Sequence, residues 1–293
     1  MNHADWRTTA DAGEFLAEAG PALRADPVEN TLLLTIATAA RDAAPAPGPA
    51  PARAPLFGWQ PGGGTFVHSP GWPLVLGLMT EGAAADLAAA LEHQRRPVAG
   101  VNGAPATAQA FAAQWQRTQR RPDASRLFQR QRLFRLAGLT PPPPPPGQAR
   151  VAAAGDRGLL IEWTNAFHRE ANDSGRPDSG AAVDSRLAYG GQLLWESEKG
   201  EPVATAARTQ IVGGMARVAP VYTPPERRGK GYGGAVTMAV SRDALRAGAR
   251  EVVLFTDLAN PTSNALYPRL GYRPVSDWTA LAFSPPATSP AGS

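Results

Sequence analysis

The sequence predicts a mixed α/β fold in which helices flank a mostly antiparallel sheet. Strand-like runs follow one another at 190–196, 203–209 and 215–222, and the turn KGEP joins the first two. Such short connections pair strands antiparallel, because a parallel pair needs a crossover of roughly a dozen residues or more. Helical patterns at 158–172 and 234–247 stand on both sides of these runs and supply helices to cover the sheet.

The alternation of helix and strand continues toward the end of the chain. Gly248 follows the second of these helices and suits the position after a helix end. The apolar run at 252–256 is typical of a buried strand. Asn260 and Pro261 predict the start of another helix, because asparagine caps helices and proline is tolerated in the first turn. A last strand is predicted at 272–283.

The first half of the chain has a less regular pattern. Helical periodicity runs through 12–42 and is broken near Pro21 and Pro27. The other predicted elements are strands at 55–59, 64–78, 96–101 and 126–136 and helices at 81–94 and 107–119.

A run of prolines divides the chain. TPPPPPPG at 140–147 cannot join a helix or a central strand, so it predicts an extended spacer. The Pro/Ala-rich stretch at 44–55 predicts a loop. The predicted organisation is a first domain at 1–139, a linker at 140–149, a second domain at 150–283 and a disordered tail at 284–293.

Composition excludes several classes of function. The chain has 293 residues and no cysteine, so disulfides, thiolate nucleophiles and cysteine–metal sites are excluded. The first thirty residues carry no uninterrupted apolar stretch of the kind found in a secretory signal. No window approaches the roughly 18 apolar residues of a membrane helix. We therefore expect a cytoplasmic protein that does not bind membranes.

The excess positive charge lies in one window. The net charge is +4, and residues 217–250 contain seven basic residues against two acidic ones. A small anionic ligand would explain this surplus, and a solvated basic face is the alternative. We expect no nucleic-acid partner, because a nucleic-acid footprint needs a broader basic face and aromatic platforms.

The glycine-rich stretch VYTPPERRGKGYGG, at 221–234, joins a predicted strand to a predicted helix. The first N–H groups of a helix have no internal partner, and glycine lets them approach a phosphate closely. The stretch therefore predicts an anion site. It lacks the G-x4-G-K-[ST] pattern of nucleoside-triphosphate loops, and GKGYGG misses the G-x-G-x-x-G spacing of dinucleotide loops.

The spacing R-x-x-G-x-G from Arg228 to Gly233 resembles the pyrophosphate-binding motif of the GNAT superfamily of acyl-CoA-dependent N-acyltransferases. The preceding VAPVYT resembles that family's central strand. LFTDLANPTSNALYPRLGYRPV, some thirty residues later, resembles its second signature. The resemblance covers 150–283 and implies a GNAT acyltransferase fold with acetyl-CoA as cosubstrate and no metal.

The resemblance also implies roles for individual residues. Val221 and Tyr222 would pair with the pantetheine arm, and the Val221 amide would point at the thioester oxygen. Asn260 and Asn264 would fix the arm or the neighbouring loop. Tyr267 would lie by the sulfur and protonate the leaving thiolate. The pyrophosphate would be bound by Arg227, Arg228, Gly229, Lys230, Gly231, Tyr232, Gly233 and Gly234.

Structural alternatives stand beside these roles. Tyr232 and Tyr267 could be core aromatics, and Asn260 could be a helix cap alone. The side chains of the basic loop residues could be solvated. Pro268 removes a backbone donor and should kink or end its helix, which could aim Tyr267 at the sulfur or turn it away.

An amine acceptor must lose a proton to react, so a base is expected near the thioester. Glu196 is the preferred candidate, because it lies on a strand expected to border the acceptor cleft. The full set of candidates is Glu162, His168, Glu170, Glu196, Glu198 and Asp257.

The first half resembles a degenerate copy of the second. In both halves a strand leads to an asparagine, Asn102 or Asn260, and then to a helix with an aromatic residue, Phe111 or Tyr267. LGLMTEGA stands where the copy would need R-x-x-G-x-G. We therefore expect a tandem GNAT-like protein with one acyl-CoA site.

The expected activity is transfer of an acetyl group from acetyl-CoA to a primary amine of a small molecule, by direct attack in a ternary complex. The alternatives are a non-catalytic coenzyme A sensor or interaction module and an acyltransferase acting on a protein or peptide amine. The sequence leaves the acceptor and the oligomeric state open.

Overall fold

The computed structural model describes residues 6–42, 54–119, 125–171 and 179–284. The chain forms two compact units, of which the first comprises Met1–Gln131 with Ser276–Ser293 and the second comprises Arg132–Val275. The predicted loop at 44–55 and the predicted tail at 284–293 lie almost wholly outside the described residues.

The first unit contains five strands and five helices of its own among its described residues. They are β1 (Arg7–Thr9), α1 (Ala12–Glu18), α2 (Gly20–Ala25), α3 (Thr31–Asp42), β2 (Leu56–Trp59), β3 (Thr65–His68), β4 (Leu74–Leu76), α4 (Glu81–His93), β5 (Gly100–Gly103) and α5 (Pro105–Thr118). The order of its strands is β1-β2-β3-β4-β5-β12. Strands β6 (Ser125–Leu136) and β12 (Tyr272–Phe283) each have residues in both units.

The second unit has strand order β12-β6-β11-β10-β9-β8-β7. Its own elements are β7 (Gln148–Val151), α6 (Arg157–Glu170), α7 (Gly180–Ala188), β8 (Gln192–Glu196), β9 (Pro202–Arg208), β10 (Met215–Tyr222), α8 (Tyr232–Arg246), β11 (Glu251–Asp257) and α9 (Pro261–Arg269).

Both units repeat one order of elements. A strand and two or three helices are followed by three antiparallel strands, a helix, a strand parallel to the one before that helix, and a further helix. The parallel pairs are β4 with β5 and β10 with β11. This repetition confirms the predicted α/β class and the prediction that the first half copies the second.

Two apolar clusters cover the sheet of the second unit. One cluster lies on the face covered by α8 and contains Leu193, Val218 and Val240. The other lies on the face covered by α6 and α7 and contains Leu194 and Trp163. Successive strand residues point to opposite faces, so neighbouring leucines of β8 enter different clusters.

The proline run is part of the second unit. The Thr140 amide donates to the Leu270 carbonyl at 3.1 Å, and Trp195 Nε1 donates to the Pro146 carbonyl at 3.2 Å. Strand β7 begins at Gln148, inside the predicted linker, and the unit boundary falls within β6. The prolines therefore lie along one unit, because backbone and indole hydrogen bonds fix both ends of the run.

Other differences from the predicted elements are local. The strand predicted at 96–101 is observed at Gly100–Gly103, and β1 and α7 were not predicted. No described helix combines the length and the apolar character that crossing a membrane requires.

Candidate functional site

Strands β10 and β11 separate at their carboxyl ends. They pair in parallel over Met215–Arg217 and Glu251–Val253. Beyond these three pairs β10 continues to Tyr222 and β11 to Asp257, and no described register joins the two extensions. The divergence leaves a slot with strand backbone on one side, into which an extended ligand arm could pair as an added strand.

A bulge turns the last residues of β10. Val218 lies opposite Arg208 and Val221 opposite Ala206, so β10 has one residue more than β9 over this interval. A bulge re-aims the side chains that follow it. Val218 packs in the cluster with α8, whereas Tyr222 packs in the cluster with α6 and α7. Val221 therefore packs toward α8, immediately beside the slot.

The glycine-rich loop ends on an uncapped helix N-terminus. Gly231 is the N-cap of α8, with φ +84°, and no side chain caps the first turn. The amides of Tyr232, Gly233 and Gly234 belong to that turn, where helix N–H groups have no internal partner. A Cβ placed on Gly229, whose φ is +76°, would meet nothing within 4 Å. The loop thus offers free amides in open space to an anion.

The arginine side chains of the loop are held by carboxylates. Arg228 Nη2 lies 2.6 Å from a Glu170 oxygen, and its Nε donates to the Thr223 carbonyl at 2.9 Å. Arg227 Nη2 lies 3.2 Å from a Glu201 oxygen. The side chains of these two arginines point to acidic partners, and their own amides donate to the carbonyls of Pro224 and Pro225 at 2.9 and 3.2 Å. The phosphate contacts predicted for Arg227 and Arg228 stay a prediction.

The rest of the loop divides between surface and core. Lys230 is exposed, whereas Tyr232 is partly buried and packs against the cluster with α8. A Cβ on Gly234 would lie 3.2 Å from Leu266 Cδ1, so glycine permits the close contact of α8 with α9. Tyr232 therefore has the packing contact expected of its structural alternative.

The two asparagines near the start of α9 form hydrogen bonds with backbone groups around that start. Asn260 caps the helix, and its Oδ1 accepts from the Ser263 amide at 3.0 Å. Asn264 Nδ2 donates at 2.8 Å to the carbonyls of Asp257 and Asn260. Both hydrogen bonds of Asn264 lie within the loop between β11 and α9, and its predicted role toward the ligand arm stays a prediction.

Tyr267 is a buried, neutral phenol. Its ring packs 6.2 Å from that of Phe134 and 6.0 Å from that of Tyr272. Burial raises the pKa of Tyr267 to about 12, and a hydrogen bond with Ser263 opposes that rise. Helix α9 passes through Pro268 and ends one residue later, so the proline sits in the last turn and Tyr267 keeps its place in the core.

The raised pKa of Tyr267 predicts a loss of stability in alkali. The folded chain holds this proton more tightly than the unfolded chain, whose tyrosines have a pKa of about 10. The contribution is full below pH 10 and is lost as the pH rises toward 12, at up to about 1.4 kcal/mol per pH unit. Urea unfolding at pH 8 to 11 should show a falling free energy of unfolding, and Tyr267→Phe should flatten the fall. An equally steep fall in the variant would contradict the attribution of this loss of stability to the raised pKa of Tyr267.

Glu196 lies in an ion-pair network at the end of β8. Arg150 Nε is 2.6 Å from Glu196 Oε1, and the same guanidinium bonds both oxygens of Asp156. Strand β8 is separated from β10 by β9, and none of these contacts joins Glu196 to Tyr267. The role of Glu196 as a base stays a prediction, and the observed contact is structural.

We accordingly expect Glu196→Gln to lower kcat by less than about tenfold and the free energy of unfolding by about 0.5–1 kcal/mol, the range of partly exposed ion pairs. Arg150→Gln is the matched control, because it breaks the same pair and keeps the carboxylate. The measurement is thiol release from acetyl-CoA between pH 6 and 10. A loss above about a hundredfold that recovers at high pH, only in Glu196→Gln, would establish Glu196 as the base.

Among the other candidate bases, Glu170 contacts the end of β10. Its Oε1 lies 3.4 Å from the Tyr222 hydroxyl, in addition to the pair with Arg228. The Tyr222 ring also lies beneath the Arg228 guanidinium, 5.8 Å from it. Glu170 thus ties the end of α6 to the loop that follows the slot.

Among its described residues, the first unit has no equivalent of the slot and the uncapped helix. Strand β4 ends at Leu76, one residue beyond its last pair with β5. The Thr80 hydroxyl caps α4 by accepting from the Ala83 amide at 3.2 Å, and Glu81 occupies the first turn. A capped helix with a carboxylate in its first turn repels an anion.

The repeat also corrects one predicted correspondence. Asn102 lies inside β5, and the residue that precedes the helix proline in the first unit is Ala104. Ala104 is therefore the counterpart of Asn260, because each directly precedes Pro at the start of its helix. In each unit an aromatic residue stands seven positions after the helix cap, Phe111 after Ala104 and Tyr267 after Asn260.

Part of the second unit is similar to a known protein family. Residues 159–272 match the model of the Acetyltransferase (GNAT) family. A search of the curated proteins finds no match.

Solved structures resemble the whole chain in fold. A GCN5-related N-acetyltransferase from Sphaerobacter thermophilus is 17% identical, with TM-score 0.59, over 96% of this chain and 95% of its own. A Drosophila protein is 15% identical, with TM-score 0.63, over 96% and 98%. A tandem GNAT protein from the clavulanic acid biosynthesis pathway is 16% identical, with TM-score 0.57, over 97% and 100%. Residues 159–272 are therefore similar to the GNAT acetyltransferase family, and the chain shares the fold of a tandem GNAT protein.

Proposed function

We propose that the protein transfers an acetyl group from acetyl-CoA to a primary amine of a small molecule, by direct attack in a ternary complex. The observation that carries the proposal is the conjunction of three features in one unit. The uncapped N-terminus of α8 follows directly on the slot between β10 and β11, and α9 holds a protonated tyrosine in the same apolar cluster.

The loop residues fit a pyrophosphate. The free amides of the first turn of α8 would donate to its oxygens, and the helix dipole adds partial positive charge there. Gly229 and Gly231 hold positive φ, and a Cβ on Gly229 would meet nothing within 4 Å. Lys230 is exposed and adds a positive charge to the loop.

Acetyl-CoA supplies an acyl group already activated as a thioester. The backbone of Val221 and Tyr222 would hold the extended arm, and the Val221 amide would donate to the carbonyl oxygen where negative charge develops. Tyr267 would donate its hydroxyl hydrogen to the sulfur. An ordinary thiol has a pKa of about 8.5, so full proton transfer from a phenol of pKa about 12 is uphill, and the hydroxyl acts mainly by donating a hydrogen bond.

A small-molecule acceptor fits the charges better than nucleic acid. Arg227 and Arg228 are the centre of the basic window, and both are engaged by glutamates. Their engagement reduces the positive surface that a phosphate backbone would need.

A thiol-release assay over a broad panel of primary amines tests the proposal, with thermal shift by acetyl-CoA measured on the same protein. We expect acetyl-CoA to raise the melting temperature and at least one amine to release free thiol. Stabilisation by acetyl-CoA without turnover of any small or peptide amine would favour a coenzyme A sensor. Turnover restricted to peptides would favour a protein acyltransferase. If acetyl-CoA does not raise the melting temperature, the assignment of acetyl-CoA as cosubstrate is wrong.

A further inference from the structure

A carboxylate from α6 holds one arginine of the glycine-rich loop. Glu170 is the last residue of α6, and Arg228 lies in the loop between β10 and α8. Arg228 Nη2 is 2.8 Å from Glu170 Oε1 and 2.6 Å from Glu170 Oε2. One nitrogen of the guanidinium therefore contacts both oxygens of one carboxylate.

This contact takes the nitrogen that both binding edges of the guanidinium share. A phosphate or carboxylate binds arginine bidentately through two neighbouring N–H groups, either those of Nε and Nη2 or those of Nη1 and Nη2. Arg228 Nε already donates to the Thr223 carbonyl at 2.9 Å. While Glu170 holds Nη2, these contacts leave only Nη1 to a second anion, and a bidentate contact with that anion is blocked.

Tyr222 orients both partners of this ion pair. Its hydroxyl donates to Glu170 Oε1 at 3.4 Å, and its ring centre lies 5.8 Å from Arg228 Cζ. The Tyr222 ring is buried, and its centre lies 6.1 Å from that of Trp163 in α6. The ion pair therefore stands on a side chain that is fixed in the core at the end of β10.

The position of Glu170 is unfavourable for α6 itself. A helix carries partial negative charge at its C-terminus, which disfavours a carboxylate in the last turn. The basic residues His168 and Arg169 occupy the same turn of α6. The hydrogen bonds of Glu170 to Arg228 and Tyr222 lie outside α6, so the contacts of this carboxylate serve the loop and the end of β10.

We propose that Glu170 competes with a phosphate of acetyl-CoA for Arg228, so that this carboxylate lowers the affinity of the glycine-rich loop for its ligand. The inference rests on the proposed acetyl transfer and specifies how binding at that site is regulated. Both anions need Nη2 for a bidentate contact, so a phosphate has to displace Glu170 to bind Arg228 in this way. The side chains of Arg228 and Glu170 are 46% and 45% exposed, and ion pairs this exposed are weak enough to exchange.

Calorimetric titration of the full chain with acetyl-CoA at physiological salt tests the competition. Glu170→Gln should lower the Kd by about two- to fivefold, the fold-change that corresponds to one exposed ion pair. The sign of the change is diagnostic, because loss of a residue that only supports the loop would raise the Kd. The melting temperature should change little, since the variant also removes an unfavourable charge from the end of α6.

Glu226→Gln is the matched control. It removes the same charge from the same loop, and within the described ranges Glu226 is exposed and forms no ion pair, so the Kd should stay nearly unchanged. Arg228→Gln should raise the Kd by about tenfold, because a charge-assisted contact with phosphate is lost. Adding Glu170→Gln to Arg228→Gln should then change nothing further, because the two residues act through one contact.

Three results would overturn the competition while leaving acetyl transfer intact. They are an unchanged or raised Kd in Glu170→Gln, an equal fall of the Kd in Glu226→Gln, and a fall that persists when Arg228→Gln is already present. Failure of the wild type to bind acetyl-CoA would instead reject the proposed function.

Discussion

Replacing Tyr267 by Phe is expected to lower kcat for thiol release by about 10²- to 10³-fold, the loss typical of one positioned hydrogen-bond donor to developing charge. The ring of Tyr267 packs between Phe134 and Tyr272, and phenylalanine fills the same space. The Kd for acetyl-CoA, measured by calorimetry, should therefore stay within about twofold of the wild type. Loss of the hydroxyl removes the proposed hydrogen bond to the sulfur and leaves the slot and the glycine-rich loop unchanged.

Tyr272→Phe is the matched control for this prediction. Tyr272 is also buried, it belongs to the same apolar cluster, and its hydroxyl lies 2.6 Å from Ser241 Oγ. Its replacement should cost about 1 kcal/mol of stability, because one buried hydrogen bond is lost, and should leave kcat nearly unchanged. Equal losses of kcat in the two variants would assign the effect to the packing of the cluster and would contradict a chemical role for Tyr267.

The first unit already carries the substitution that this experiment introduces. Phe111 stands seven residues after Ala104, as Tyr267 stands seven residues after Asn260. Its ring stacks with Trp115 and Phe283. The described part of the first unit therefore lacks the hydroxyl as well as the slot and the uncapped helix, which explains why we assign acetyl transfer to the second unit.

Local signals made much of the second unit predictable. Strand β10 was predicted at its observed bounds, and the helix start at Pro261 followed from the cap at Asn260, because both depend on residues adjacent in sequence. Strand β7 was missed, because four residues at the edge of a sheet carry little apolar periodicity.

The parts that sequence could not predict depend on contacts between distant residues. The Arg150–Glu196 pair joins positions 46 residues apart, and it occupies the carboxylate that the sequence favoured as a base. The charge surplus was visible in sequence, but the glutamates that hold Arg227 and Arg228 come from β8–β9 and α6.

Replacing Gly231 by Ala is expected to raise the Kd for acetyl-CoA by about 10- to 100-fold. Gly231 has φ +84° at the N-cap of α8, a conformation that costs an L-residue about 1–2 kcal/mol. An added Cβ would come no closer than 3.8 Å to Pro145, so the effect comes from φ and not from a clash. Relief of the strain rotates the amides of Tyr232 and Gly233, and each misaligned bond to a charged phosphate costs about 1.5–3 kcal/mol.

Gly248→Ala separates this loss of binding from loss of stability. Gly248 follows the other end of α8 with φ +99°, and a Cβ there would meet nothing within 4 Å. Both variants should therefore lower the melting temperature by a similar few degrees, because each forces alanine into the left-handed region. Only Gly231→Ala should weaken the binding of acetyl-CoA, as measured by calorimetry at a temperature where both variants are folded. A similar Kd in both variants would show that the amides at the start of α8 do not bind the pyrophosphate.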